Sequence, residues 1–241
     1  MFETILIKPL YNAFIYLIGV MPGGNVGFAI IVMTILIRAV FYPAFSASIK
    51  TQMGMAAVQA ELDEINEKYK DDSNERAKQT MQLYKDRKIR PFAGLIALLV
   101  QIPIFIALYY AFFREGLPHI ATNLLYPYVH APVQVNLNFL GVLNLLAPHN
   151  IVLGVLVGVL QYLVVRLSTN RSNSVQKRPL AADKAQALAM QQNLMLYAMP
   201  ALYAVITYSL PAAAGLYFTV TNLISLGQEG LIRRELKNKT V

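Results

Sequence analysis

The sequence predicts an all-α polytopic membrane protein with five transmembrane helices, an N-terminal interfacial helix and a cytoplasmic helical hairpin. Three observations carry that reading. Of the 241 residues, 56% are hydrophobic and only 14% are charged, well below the roughly 25% charged residues of soluble domains. Apolar runs of bilayer-crossing length recur along the chain. Eighteen of the 21 Lys and Arg residues fall in three segments that a five-span chain places on one side, which makes that side cytoplasmic.

The first segment, 1–24, is interrupted by Glu3, Lys8, Pro9 and Asn12, and its clean apolar part is only eight residues long. It reads as an amphipathic helix lying in the outer interface and ending at MPGG. A secretory signal peptide fits less well, because there is no basic n-region and no small-residue cleavage site. The first span, 25–45, is NVGFAIIVMTILIRAVFYPAF and contains Arg38. A guanidinium near mid-membrane costs about 2.5 kcal/mol or more unless it faces protein or a water-filled cavity. Arg38 stands about two turns before the polar end of this span, so a hydrated groove is favoured over a side chain that snorkels to the interface.

Segment 46–90 predicts a helical hairpin. Val58, Leu62, Ile65 and Tyr69 recur at helical spacing among acidic residues from Met53 to Tyr69. The turn KDDSNE then places Asp72 and Glu75 in capping-box relation for a second helix through about Arg87. Its eight acids nearly balance its nine bases, so it is not a basic patch for nucleic acid. Its length exceeds what a connection needs, which favours a docking role over a simple connector.

The remaining spans are 91–112, 151–168, 194–210 and 212–228, the last two forming a tight hairpin at Pro211 within 194–228. The external segment 113–150 carries His119, His130 and His149 with little other charge, 169–193 is a basic cytoplasmic loop, and 229–241 is a basic cytoplasmic tail. This orientation puts the N-terminus outside a bacterial cytoplasmic membrane and the C-terminus in the cytoplasm.

Enzymatic constellations are sparse. No Asp, Glu or His lies in a predicted span before Glu229 at the end of the fifth, no HExxH or HxxxH spacing occurs, and there is no cysteine. The reading is a protein that is not an enzyme and that takes no cofactor or metal, with the three histidines as surface or turn residues. Gly154 and Gly158 form a GxxxG in the third span and read as a helix contact. The polar residues inside the spans are Thr34, Gln101, Gln161, Thr207, Thr219, Thr221 and Asn222. Thr34 and Arg38 are four residues apart and share a helix face. Interhelical hydrogen bonding accounts for about half of such residues, and the others converge with Arg38 on one wet, positively charged groove.

The stretches ILIRAVFYPAF, MQLYKDRKIRPFAG, VQIPIFIALYYAF and LPAAAGLYFTVTNLISLGQE, in this order, resemble the YidC/Oxa/Alb membrane protein insertases. The resemblance runs from about Ile7 to Arg234. It implies an insertase and chaperone that receives nascent membrane proteins in a hydrophilic groove and releases their helices sideways into the bilayer without nucleotide hydrolysis. Arg38 matches the family's arginine, and Tyr217 joins the groove set of Thr34, Gln101, Gln161, Thr207, Thr221 and Asn222. The second and fourth spans would form a slide for the substrate helix, the hairpin would receive it, and the tail would meet the ribosome. The SecYEG translocon is a further implied partner. The chain departs from many members in lacking a preceding periplasmic domain with its extra span and a lipoprotein cysteine, and in the approach RPFAGLIAL. Two other classes share the charged groove: a small transporter or channel for an anionic solute, distinguishable by flux, and an assembly subunit of a larger membrane complex, distinguishable by co-purification.

Overall fold

The computed structural model describes residues 7–90, 92, 106, 117–175, 190 and 193–238. The expected second span, 91–112, lies almost wholly outside the described residues, as does most of the loop 169–193. The described helices are α1 (Lys8–Val20), α2 (Val26–Val40), α3 (Tyr42–Ala57), α4 (Gln59–Lys68), α5 (Ser73–Asp86), α6 (Ile151–Val175), α7 (Met199–Ser209) and α8 (Ala212–Asn238). Two short strands, β1 (Asn138–Phe139) and β2 (Leu143–Asn144), pair antiparallel with Asn138 opposite Asn144.

The chain divides into two units. The first comprises residues 1–41, 98–161 and 200–225. Pro9 sits in the first turn of α1, where its missing N–H has no intrahelical partner to lose. The turn after α1 uses Gly23 and Gly24, both at φ 64°. Asn25 then caps α2, its Oδ1 accepting the N–H groups of Gly27 and Phe28 at 3.0 and 3.2 Å. Tyr11, Ile15 and Ile18 of α1 pack with Ile30 and Ile37 of α2, with Leu145, and with Leu216 and Tyr217 of α8. Residues 117–147 therefore contribute to the core. The Leu145 and Ala147 carbonyls accept the Ala213 and Ala212 N–H groups, each at 2.9 Å, and so satisfy the open N-terminus of α8.

Small residues set the spacing of α6, α7 and α8. A Cβ on Gly158 would lie 3.0 Å from the Ala204 Cβ, and one on Gly154 would lie 3.2 Å from the Ala204 carbonyl oxygen. The GxxxG is a close helix contact, as its spacing indicates. The α6 window Ile151–Ser168 is the one described helix long and apolar enough to cross a membrane by itself. α2 and α3 make a second if taken as one broken span, and Leu194–Ser209 is apolar but shorter. Only 22% of the α6 window is buried, and Ile151, Val152, Val155 and Val159 face outward. A stripe of this kind is compatible with lipid and hard to reconcile with water.

The first span differs from its expected form. α2 ends at Val40, Phe41 leaves helical geometry at φ −93°, ψ 12°, and α3 starts one residue later. Pro43 gives the reason: it lacks an N–H, and its ring conflicts with the carbonyl four residues earlier. Residues 25–45 are thus not one uninterrupted helix, and Arg38 lies in the last turn of α2. Pro200 has a related effect on the fourth span, where Leu194–Ala198 is a π turn and the Met199 N–H reaches the Leu194 carbonyl. A proline that removes the ordinary bond lets the preceding turn widen.

The second unit comprises 42–97, 162–199 and 226–241. Here α3 buries Ser46, Ser48 and Thr51. The Thr51 hydroxyl donates to the Arg90 carbonyl and the Ser168 hydroxyl to the Gln52 Oε1, both at 3.1 Å. The amphipathic run Met53–Tyr69 is two helices rather than one, because Val58 departs to φ −101°, ψ 10° between α3 and α4. Val58, Leu62 and Ile89 form a small core flanked by Met55, Leu83 and Tyr84. Asp72 caps α5, accepting the Asn74 and Glu75 N–H groups at 3.1 and 3.0 Å. Glu75 turns away from the cap and accepts from Gln79 at 2.8 Å instead. Arg87 bridges to Glu61 at 2.6 Å, joining α5 to α4. α8 continues to Asn238, so most of the segment expected as a tail is helical, with Gln228, Glu229 and Ile232 buried.

Candidate functional site

Arg38 is half-buried on α2, about 18 Å along the helix from Val26 at 1.5 Å per residue. Its place in the last turn sets the guanidinium beside the negative end of the helix dipole, which favours a cation there. Tyr217 of α8 is buried in the shared α1–α2–α8 core, close enough to Arg38 for the two side chains to influence each other. One turn further along α8 come Thr221 and Asn222, both buried.

The hydrogen bonding of these polar residues separates them into two kinds. Thr34 donates to the Ile30 carbonyl at 2.7 Å and Thr219 to the Gly215 carbonyl at 2.8 Å. Each hydroxyl proton is committed to its own helix, so the shared face of Thr34 and Arg38 does not make Thr34 a free donor to a groove. By contrast, Thr221 Oγ1, Asn222 Nδ2 and Thr207 Oγ1 are buried with no hydrogen-bond partner among the described residues. An unmet buried polar group costs about 1–3 kcal/mol. Such groups persist most readily where water or a passing polar chain can meet them.

The predicted set is only partly brought together. Arg38, Tyr217, Thr221 and Asn222 occupy the α2 and α8 parts of one unit. Thr207 sits at the contact of α7 with α8, its methyl 3.1 Å from where a Cβ on Gly215 would stand. Gln161 is half-buried on α6. Gln101 lies outside the described residues. All three histidines are exposed; His149 places its ring edge-on to Tyr208 at 5.1 Å. Among the described residues no group of three or more His, Cys, Asp or Glu could hold a metal ion.

Sequence reasoning misses Asn12, which reads there only as a polar interruption of an amphipathic helix. Asn12 is 2% exposed. Its side chain donates to the Leu124 carbonyl at 2.8 Å and accepts the Tyr126 N–H at 2.6 Å. Its spacing from Ile15, three residues on, is the available signal that it shares the inward face.

The family model described as the 60Kd inner membrane protein matches residues 17–239. The chain belongs to this family. Among its relatives is the membrane protein insertase YidC of Alcanivorax borkumensis, 32% identical over 215 residues, which cover 89% of this chain and 32% of that one. The membrane protein insertase YidC of Burkholderia vietnamiensis is 32% identical over 237 residues, covering 97% of this chain and 36% of its own. The Neisseria gonorrhoeae protein of the same name is 31% identical over 216 residues, covering 90% and 34%. The chain spans about a third of the length of the curated relatives it matches. Membership agrees with the resemblance carried by the arginine-bearing span and the LPAAAGLY segment, and it identifies a bacterial membrane protein.

Proposed function

We propose that this chain is a membrane protein insertase, with nascent membrane proteins as its substrates and the lipid bilayer as their destination. The observation that carries the reading is the pair of buried groups without a hydrogen-bond partner among the described residues, Thr221 Oγ1 and Asn222 Nδ2, one turn from Tyr217 on the helix that packs against the Arg38-bearing α2. The name its relatives carry, membrane protein insertase, supports it.

In this reading five spans cross the cytoplasmic membrane with the N-terminus outside, and the α4–α5 hairpin and the C-terminal end of α8 lie in the cytoplasm. Burying a substrate helix of about twenty apolar residues is downhill, since each contributes a few tenths of a kcal/mol. The barrier is the passage of the substrate's polar, often acidic, tail through hydrocarbon. A half-membrane groove with a fixed cation shortens the dry path, and Arg38 offers a transient counter-ion. Thr221 and Asn222, with Thr207, Gln101 and Gln161 as further members, offer hydrogen bonds to the tail or to the water around it. Thr34 contributes packing, because its hydroxyl is already bonded. The ribosome and the SecYEG translocon are proposed to deliver substrates through the basic cytoplasmic segments.

The test is insertion of a small single-span protein into liposomes holding only the purified chain. Protease protection of the translocated tail is expected at levels well above empty liposomes. Protection no better than in empty liposomes, with the chain folded and correctly oriented, overturns the proposal.

A further inference from the structure

The β1–β2 hairpin on the external segment ends in an apolar tip. Leu140 is 67% exposed and Val142 is 88% exposed, with Gly141 at φ 74° making the turn between them. From Val133 to Ala147 the sequence has no charged residue. Exposed apolar tips of this kind are unusual on a water-facing loop.

The direction of the tip follows from backbone pairing. Asn136 bridges Asn25 in parallel, with the Val26 N–H on the Asn136 carbonyl at 3.0 Å and the Asn136 N–H on the Gly24 carbonyl at 2.9 Å. The chain entering β1 therefore runs the same way as the chain entering α2. Phe139 lies against Gly27, leaving no room for a Cβ there, and its ring meets that of Phe28 edge-on at 5.3 Å. The tip is carried past Phe139, alongside the first turns of α2, before β2 brings the chain back. α2 leaves Phe28, Ile35 and Leu36 exposed on its own surface, so the hairpin tip extends an apolar face that already needs lipid.

Several polar groups at the base of the hairpin are paired internally, and at the tip the Val142 N–H reaches the Phe139 carbonyl at 3.2 Å. The Asn138 N–H donates to Asn136 Oδ1 at 2.9 Å, the Leu146 N–H to Asn144 Oδ1 at 3.0 Å, and Asn25 Nδ2 to the Asn138 carbonyl at 3.1 Å. Each group paired in this way needs no water partner, and the acyl–headgroup boundary still offers water and headgroup oxygens to the rest of the turn. We infer that Leu140, Gly141 and Val142 form a wedge that inserts into the acyl–headgroup boundary of the outer leaflet beside α2. The occupant of this apolar surface is lipid, and the inference rests on the membrane orientation proposed above.

The chain contains no tryptophan, so a single introduced one reports on its own position. Full-length chain would be reconstituted in phosphatidylcholine vesicles as Val142→Trp, with His130→Trp as a water-facing control and Val155→Trp as a control on the outward face of α6. For Val142→Trp the expected result is blue-shifted emission, strong quenching by lipids brominated high on the acyl chain, and acrylamide quenching several-fold weaker than for His130→Trp. Water-like emission with acrylamide quenching equal to that of His130→Trp overturns the wedge. Blue-shifted emission untouched by brominated lipid also overturns it, since the tip is then covered by protein. Val155→Trp separates the two readings: if it is quenched by brominated lipid while Val142→Trp is not, the wedge fails alone, and if neither is quenched, the membrane placement itself fails.

Discussion

Asn12 of α1 bonds the backbone on both sides of Leu125, donating to the Leu124 carbonyl and accepting the Tyr126 N–H. Tyr11 adds a third bond next door, its hydroxyl accepting the Ala121 N–H at 3.0 Å. Replacing Asn12 by Leu would leave a buried carbonyl and a half-buried N–H unmet, at about 1–3 kcal/mol for each. Asn12→Leu is therefore expected to lower the thermal midpoint in detergent markedly, and Asn12→Asp to lower it as well, because the carboxylate keeps the acceptor for the Tyr126 N–H but loses the donor and faces the Leu124 carbonyl. A midpoint unchanged in Asn12→Leu would show that water replaces the side chain at no cost.

The second prediction concerns the helix contact at Gly158. A Cβ there would stand 3.0 Å from Ala204 and 3.4 Å from the Pro200 carbonyl oxygen, so a branched side chain must push α6 and α7 apart. Gly158→Val should destabilise by about 1–3 kcal/mol, the usual range for overpacking. Gly227→Ala, at a position where an added Cβ would meet open space, should change little. Equal unfolding free energies for the two variants would remove the contact from the account of stability.

The mostly helical character of the chain and the hairpin turn were legible because both rest on local chemistry. The Asp72 cap follows from the spacing of KDDSNE, and the GxxxG contact from two glycines a helical turn apart. What was not legible depended on distant partners or on a proline's effect upstream. Pro43 ends α2 at Val40 although the residues before it read as continuous helix, and this moved Arg38 from mid-helix to a last turn. Asn12 read only as a polar interruption of an amphipathic helix, because its partners lie more than a hundred positions away. Of the residues proposed for the groove, the sequence singled out Thr34 and Thr221 alike. Only the three-dimensional structure distinguishes a hydroxyl bonded to its own helix from one left open.

The hairpin gives a third prediction. Asp72→Ala removes the two cap bonds to Asn74 and Glu75 and should cost about 1 kcal/mol locally. Shortening 54–86 to a brief linker removes the small Val58–Leu62–Ile89 core with it, and is expected to leave the first unit folded while abolishing insertion of most substrates. Circular dichroism and the liposome assay, read together, test this. Unchanged insertion by the shortened chain would assign the hairpin a connecting role only.

The last prediction ties the charge of Arg38 to its position. An arginine at the end of α2, within Coulombic reach of Tyr217, could stabilise the α2–α8 contact, or it could draw an acidic substrate tail into the groove. The two roles separate by substrate. Electrostatic capture requires Arg38→Ala to impair substrates with acidic tails more than otherwise identical neutral ones, and Arg38→Lys to retain much of the activity because a point charge suffices. A structural role requires equal loss for both tails, with a lowered thermal midpoint. One interaction at about 4 Å in a hydrated groove is worth on the order of 1–4 kcal/mol, less where water screens it. The expected effect on an acidic tail is thus about fivefold in rate at the low end of that range and smaller under strong screening, since roughly 1.4 kcal/mol corresponds to a factor of ten. Measured at matched membrane potential, equal loss for acidic and neutral tails would transfer Arg38 from substrate capture to the architecture of the groove.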